Sequence, residues 1–472
     1  MRQLALRLLL IITLLAGGCA PKAARPDPQT KLPQPPGNWT ATETVPETAK
    51  EPTAWLDSFA DPQLEALVAE ALQENLNLQL LAARINAARA RATIAGAELS
   101  PNADLQFSAA RRQTASGGSS AISNNFALQG SLSWEVDLWN RLGYGKQAAI
   151  TELGASQADR QAAQFSLAAT VARNWFRLNE ALRQLQLAVA TEDSYRQTLQ
   201  VIEQQYRSGL NSALDLRLAR ASLANAQSIN ADRQRQLDLQ RRELETLLGR
   251  YPSGNLAISG QLPQLTRAVP VGLPSTLLQR RPDLQAAALR LTASYQRAAA
   301  VDLNRLPIFK LTAAAGTASE KLYQLLDWDY LLWSLAGSVV QPLLDGGRRS
   351  AEQNLAASQV EELLADYADS ALNAYREVET TLAAESYLHQ QQTALQTSVS
   401  EALEAQALAE QRYRQGLEGI ITLQETQRRA FTAQIALLTT SRQRLENRIN
   451  LHLALGGPFA NPQESTTVED SP

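Results

Sequence analysis

The chain has 472 residues, a formal net charge of −3 and no dense Lys/Arg block, which argues against nucleic acid as a partner. One cysteine, one methionine and two histidines, His389 and His452, leave no material for a structural zinc site, a disulfide framework or a Cys/His nucleophile. Neither a metal nor a cofactor is expected, and the lack of a phosphate-binding glycine loop argues against an enzyme.

Met1 to Arg7 is a basic start, and Leu8 to Leu15 is an apolar run too short to span a bilayer. Ala16-Gly17-Gly18 follows, so residues 1–18 read as a secretory signal peptide. The next residue, Cys19, is the only cysteine. This stretch resembles a bacterial lipoprotein signal, with Ala16 where a larger residue is usual. The resemblance implies cleavage before Cys19, covalent lipid on it and, with Ala20 rather than aspartate next, sorting to the outer membrane. Acyl chains tether a protein to a bilayer without spanning it. Residues 19–61 are rich in Pro, Thr and Gln and read as an extended linker and belt with no core of its own.

Asp61-Pro62 reads as an N-cap and first helical residue, and Leu64, Leu67, Val68, Ala71 and Leu72 continue at helical spacing to about Leu99. Pro101 ends that helix and the period changes. Leu105, Phe107 and Ala109 alternate with polar residues in a strand over about 103–112. After the Gly/Ser-rich stretch Ser116 to Ser120, the even positions Phe126, Leu128, Leu132, Trp134, Val136 and Leu138 are apolar and the odd ones polar, a strand over about 125–138. Such alternation suits a tilted membrane-spanning strand or an amphipathic strand of a soluble sandwich. Helices from about Lys146 to Arg207 and from Ser212 to Leu248 form a hairpin whose tip carries Tyr206-Arg207-Ser208-Gly209-Leu210, and Ser212 and Asp215 read as a capping box. Residues 62–248 form the first repeat, and residues 249–274 read as an equatorial linker.

The same order recurs over residues 275–455. Arg280-Arg281-Pro282-Asp283 opens a helix and Pro307 closes it. Strands follow over about 308–317 and 332–343, joined by a loop containing Tyr323, Trp328 and Tyr330. A helix from about Arg349 to Arg414 then reaches a second tip, Tyr413-Arg414-Gln415-Gly416-Leu417, and residues 456–472 are a tail. Each long helix spans roughly 90–100 Å. Val360, Leu364, Tyr367, Ala371, Tyr375, Val378 and Leu382 form a narrow coiled-coil seam, and the other faces are polar enough for water.

Four membrane strands cannot close a barrel, since the smallest have eight, and an open edge in lipid leaves backbone groups unpaired. Two subunits would give a narrow eight strands and three would give twelve with a lumen. The helices must also close a tube, which favours three. The expected fold is mostly α with a membrane β-barrel: four strands per chain in a 12-stranded trimeric barrel, continued by a long periplasmic α-helical barrel.

Cys19, Trp55 to Pro62, Arg280-Arg281-Pro282-Asp283, Asp345-Gly346-Gly347-Arg348, the two Tyr-Arg-x-Gly-Leu tips and Leu455-Gly456-Gly457 together resemble the TolC-type outer-membrane efflux proteins of the OprM/NodT lipoprotein branch. The resemblance covers essentially the whole mature chain. It implies a homotrimeric exit duct in the outer membrane of a Gram-negative bacterium, opened by iris-like movement of the tips. Implied partners are a periplasmic adaptor and an inner-membrane transporter, commonly of the RND class, for which Tyr206, Arg207, Gly209, Leu210, Tyr413, Arg414, Gly416 and Leu417 supply the adaptor-contacting mouth. It also implies a gate at Ile421 and Glu425, where the family has commonly leucine and aspartate. Spacing of four puts both on one helix face, and three Glu425 carboxylates around an axis would repel unless spread, hydrated or partly protonated. The bland alternative is a solvated carboxylate beside Arg428 and Arg429. Trp134 and Trp333 are expected at the membrane interfaces. Trp139 and Trp328 fit either that girdle or an equatorial belt. The competing function is a lipid-anchored periplasmic coiled-coil scaffold or adaptor without a pore, for which a lipid-facing set of strand residues would be unnecessary.

Overall fold

In the computed structural model, the described residues are 37–41, 55–116, 119–258, 260–265 and 277–456. The signal peptide, Cys19 and the tail beyond 456 lie outside them. Asp61 starts helix α1 (Pro62–Glu74), its carboxylate accepting from Gln63 N and Leu64 N at 3.1 Å each. The expected single helix from Pro62 to Leu99 is broken at Asn75. Asn75 takes an extended conformation, caps α2 (Leu76–Ala97) by accepting from Asn77 N at 3.0 Å, and donates to Leu247 O at 3.0 Å. An asparagine that satisfies both the new helix start and a neighbouring helix end stabilises a break that apolar spacing does not reveal.

The two hairpins have identical lengths. Helix α3 (Arg141–Arg207) and helix α6 (Arg348–Arg414) have 67 residues each, and their partners α4 (Ala213–Leu247) and α7 (Ile420–Ala454) have 35 each. The first long helix begins five residues before the expected Lys146 and the second one residue before the expected Arg349, because Asn140 and Gly347 turn the chain in the left-handed conformation just before each. Helix α5 (Pro282–Leu303) starts behind Arg281, the counterpart of Asn75.

Strands β1 (Asn102–Ser116), β2 (Ser119–Val136), β3 (Ile308–Ser319) and β4 (Leu331–Val340) form one antiparallel sheet in that order. β1 and β2 run further into the Ser/Gly-rich stretch than expected, pairing up to Ser116 with Ser119. β4 stops at Val340 rather than 343, where Gln341-Pro342 removes a ladder donor.

Burial concentrates where the helices meet, away from the sheet. The largest core gathers Phe59, Leu64, Val171, Trp175, Phe176, Leu244 and Ile449, and Trp175 Nε1 donates to Asp61 at 2.7 Å. The seam of α6 is buried at Val360, Leu364, Ala371 and Val378, against α5 and α7. Trp39 packs beside Tyr375, and Glu379 accepts from Thr40 N at 2.8 Å and Ala41 N at 3.0 Å, so part of the N-terminal linker is fastened to α6. No described helix is long and apolar enough to cross a membrane.

Candidate functional site

The register decides which strand residues share a face. Leu105, Phe107, Leu128, Leu132, Trp134, Val136, Phe309, Leu311, Trp333, Leu335 and Val339 fall on one side. Asp104, Gln106, Ser108, Gln129, Ser131, Ser133, Glu135, Lys310, Thr312, Ser334 and Ser338 fall on the other. The apolar side is not covered: Leu105 is 76%, Phe107 57% and Leu335 73% exposed. The edges β1 and β4 have no strand partner among the described residues. An uncovered apolar face is costly in water, and in lipid each unpaired edge group costs several kcal/mol. The sheet therefore requires both an apolar surround and edge partners.

Trp134 lies two residues from the end of β2, level with Leu311, and Trp333 two residues from the start of β4, level with Ala315, so they stand four rows apart on the apolar face, which continues beyond Trp333 at Phe107 and Leu128. Trp134 Nε1 donates to Leu99 O at 2.9 Å, tying the strand base to the end of α2. Trp139 does the same across the repeats, donating to Pro307 O at 2.8 Å. Trp328 is 80% exposed in the β3–β4 loop at the far end of the sheet, which rules out the equatorial position considered for it.

At the other end of the molecule, the glycine of each tip closes a helix. Gly209 and Gly416 have φ of 74° and 73°. Leu210 N donates to Gln205 O and Leu417 N to Arg412 O, both at 2.9 Å, the six-residue closure that a left-handed glycine permits. Tyr206, Arg207, Gly209, Leu210, Arg414, Gly416 and Leu417 are exposed. Tyr413 is not part of that surface. It is 8% exposed, buried among Ile202, Leu216, Ile420 and Leu423, and its hydroxyl accepts from Asn211 at 3.1 Å and donates to Gln205 at 3.2 Å. The tyrosine of the second tip therefore latches the two hairpins of one subunit together. Nothing in the sequence sets Asn211 and Gln205 apart from their neighbours, and only their three-dimensional closeness to Tyr413 reveals the latch.

Ser212 and Asp215 form the expected capping box at the start of α4, whereas α7 starts at Gly419 with no side-chain cap. Ile421, on the first turn of that uncapped helix, is 67% exposed. Glu425 stands one turn further, where Arg428 Nη2 contacts both its carboxylate oxygens at 2.8 Å and Arg429 Nε one of them at 2.6 Å. The hydrogen bonds from Arg429 and Arg428 hold its carboxyl below the usual glutamate range. Within the chain the carboxylate is thus flanked by two guanidinium groups, the arrangement of a solvated charge beside Arg428 and Arg429. Among the described residues no cluster of three or more His, Cys, Asp or Glu is placed to hold a metal ion.

The sequence profile of the family described as outer membrane efflux protein matches residues 67–250 and 273–457, one match per repeat. The pyoverdine export outer membrane protein OpmQ of Pseudomonas putida is 32% identical over 456 residues, covering 92% of this chain and 94% of that protein. The toluene efflux pump outer membrane protein TtgF of the same species is also 32% identical, covering 86% of each. Among solved structures, the outer-membrane channel OprN superposes with a TM-score of 0.84 at 25% identity, covering 93% of this chain and 99% of that one.

Proposed function

The chain belongs to the outer membrane efflux protein family, and from that membership we propose that three copies form a passive exit duct for small molecules across the outer membrane. The observation that carries this reading is the sheet: one largely apolar face, one largely polar face, and two edges and an apolar side that no described residue covers. Three copies supply twelve strands, the apolar faces meet lipid and the polar faces line a lumen. The 67-residue helices extend that lumen into the periplasm for about 100 Å. Passage through such a duct needs no catalysis and no cofactor.

Cys19 carries a covalent lipid in this reading. It precedes Trp39, the first buried residue fixed on α6, by twenty positions, a reach of up to about 70 Å. Tyr375, beside Trp39, lies about 40 Å down α6 from Arg348, so a membrane tether needs only part of that reach. The exposed Tyr206, Leu210 and Leu417 at the tips are the surface for a periplasmic adaptor working with an inner-membrane pump. The relatives handle cargo as different as pyoverdine and toluene, so the pump and adaptor rather than the duct choose what is exported.

Ile421 and Glu425 narrow the periplasmic mouth, and the Tyr413 latch keeps it narrow by holding the hairpins together. Each Glu425 is accompanied by Arg428 and Arg429, so removing the carboxylate leaves a cationic constriction. Planar-bilayer conductance of the purified full chain tests the proposal. Glu425→Ala is expected to shift ion preference toward anions, and Tyr413→Phe to enlarge the conductance step. Unchanged behaviour in both variants moves the gate elsewhere. No channels at all from folded, inserted protein would overturn the duct.

A further inference from the structure

The end of the sheet remote from the helices is uneven. Ala109, Phe126 and Ser319 stand side by side in one row, where β3 ends, whereas β1 runs on from there to Ser116 and pairs with β2 as far as Ser119. The β3–β4 loop occupies the step with two short 3-10 turns, Leu322–Leu326 and Trp328–Tyr330. Thr317, level with Leu128 and Leu331 on the apolar side, donates its hydroxyl to Leu325 O at 2.6 Å, and Ser319, level with Phe126, is bonded to Gln324. The loop is therefore fastened across the apolar side of the sheet. Of its side chains only Leu325 is buried, while Leu322, Tyr323, Leu326 and Trp328 are exposed.

Beyond that last apolar row the same side turns cationic. Two residues on from Ala109, Phe126 and Ser319 come Arg111, Asn124 and Lys321, with Arg111 opposite Asn124 in the ladder. Lys321 keeps extended backbone, its N–H donates to Ser319 Oγ at 3.2 Å, and its ammonium stands 5.9 Å from the centre of the Tyr323 ring. Two strand spacings, about 10 Å, separate Arg111 from the β3 position in this row. Both cations are exposed, and neither makes an ion pair among the described residues. Of the loop's acids, Asp327 is taken up in its own turn, accepting from Asp329 N at 3.1 Å, whereas Glu320 and Asp329 are exposed.

We infer, resting on the duct proposed above, that the step between the β1–β2 overhang and the β3–β4 loop binds a bisphosphorylated glycolipid of the outer leaflet. The helix tips are periplasmic in that reading, so this end of the sheet faces the cell exterior, where the leaflet of a Gram-negative outer membrane consists of such glycolipids. Arg111 and Lys321 take the two phosphates in charge-assisted pairs. Tyr323 and Trp328 offer ring faces to the sugars at interface depth, and the carboxylates of Glu320 and Asp329 accept from sugar hydroxyls. The acyl chains run down the sheet over Phe126, Leu128 and Phe107. A phospholipid with one phosphate and no sugar would leave one cation and both rings unused. A water-borne protein does not reach the patch, because it lies on the side of the sheet that lipid covers.

Native mass spectrometry of the full chain in detergent, freed of bound lipid and titrated with lipid A, dephosphorylated lipid A or phosphatidylglycerol, tests the site. The expected result is one retained lipid A per chain, with several-fold weaker retention of the other two. Arg111→Glu with Lys321→Glu is expected to lower lipid A retention several-fold. Arg112→Glu, on the lumenal side opposite Ser123, is expected to leave it unchanged. Trimer mass in the same spectra shows that each variant is assembled. Equal retention of phosphatidylglycerol overturns the glycolipid assignment, and an equal loss in Arg112→Glu overturns its placement on the lipid side. Lipid A retention that survives the double charge reversal, or that is absent from a wild type still forming channels, overturns the site and leaves the duct standing. A folded, inserted wild type without channels overturns the duct on which the site rests.

Discussion

His452 lies on α7 against the N-terminal belt, 6% exposed, its ring centre 6.0 Å from that of Trp55. Its Nε2 is buried without a hydrogen-bond partner among the described residues. Burial, aided by the nearby charge of Arg448, lowers its pKa from 6.5 to about 4. The unfolded chain therefore takes up this proton first on acidification. The stability linked to His452 is whole above pH 6.5, drains away as pH falls toward 4 and is absent below that. A shift of this size corresponds to about 3 kcal/mol at most. Thermal melts at pH 7.5 and 4.5 are expected to separate further for the wild type than for His452→Leu, which cannot titrate. At the same scale, Glu425 shows what spacing alone conveys. The interval of four placed it on one face with Ile421, and its arginine neighbours were visible in the sequence, but the choice between a bare carboxylate and a screened one depended on side-chain geometry. Tyr413 shows the converse, because two near-identical tip sequences put one tyrosine on the surface and the other in a core.

Among the elements, the hairpins were the most legible, because Pro, Gly and capping residues punctuate long unbroken helical runs. The break at Asn75 was hidden, since its reason is a bond to Leu247 O from a helix end far along the chain. The glycines that end α4 and α7 belong to the same joint. Gly249 and Gly456 both have positive φ, 75° and 63°, and each sits against the break of its own repeat. A Cβ on Gly456 would lie 3.0 Å from Arg281 N and 3.1 Å from the carbonyl carbon of Arg280, whereas one on Gly416 would meet nothing within 4 Å. Gly416→Ala thus carries only the left-handed backbone cost of about 1–2 kcal/mol. Gly456→Ala adds a backbone clash and displaces the helix that Arg281 holds. Denaturation of the two variants is expected to show the larger loss for Gly456→Ala, and equal losses would mean that this joint is looser than its geometry.

For the whole molecule, the membrane assignment rests on which face of the sheet is which, and that is testable without reference to the gate. Strand alternation was legible in the sequence, but alternation alone fits a soluble sandwich equally well. Only the register showed that the apolar sides of all four strands coincide and that no described residue covers them. Leu132 and Ser131 are adjacent on β2, both exposed, and point to opposite faces near the middle of its pairing with β3. In a barrel within lipid, Leu132→Arg puts a charge into hydrocarbon at about 2–4 kcal/mol per subunit, while Ser131→Arg places the same charge in a wet lumen. Refolding into vesicles followed by denaturant titration is expected to show a large loss for Leu132→Arg and little for Ser131→Arg. In a sandwich closed by another protein layer, Leu132→Arg would also be costly, but the loss would be the same in detergent micelles and in bilayers. In the barrel reading the penalty follows the bilayer, shrinking in thin or loosely packed lipid where headgroups and water reach the side chain. Dependence of the Leu132→Arg loss on acyl-chain length, with no such dependence for Ser131→Arg, therefore identifies the outward face as a lipid face.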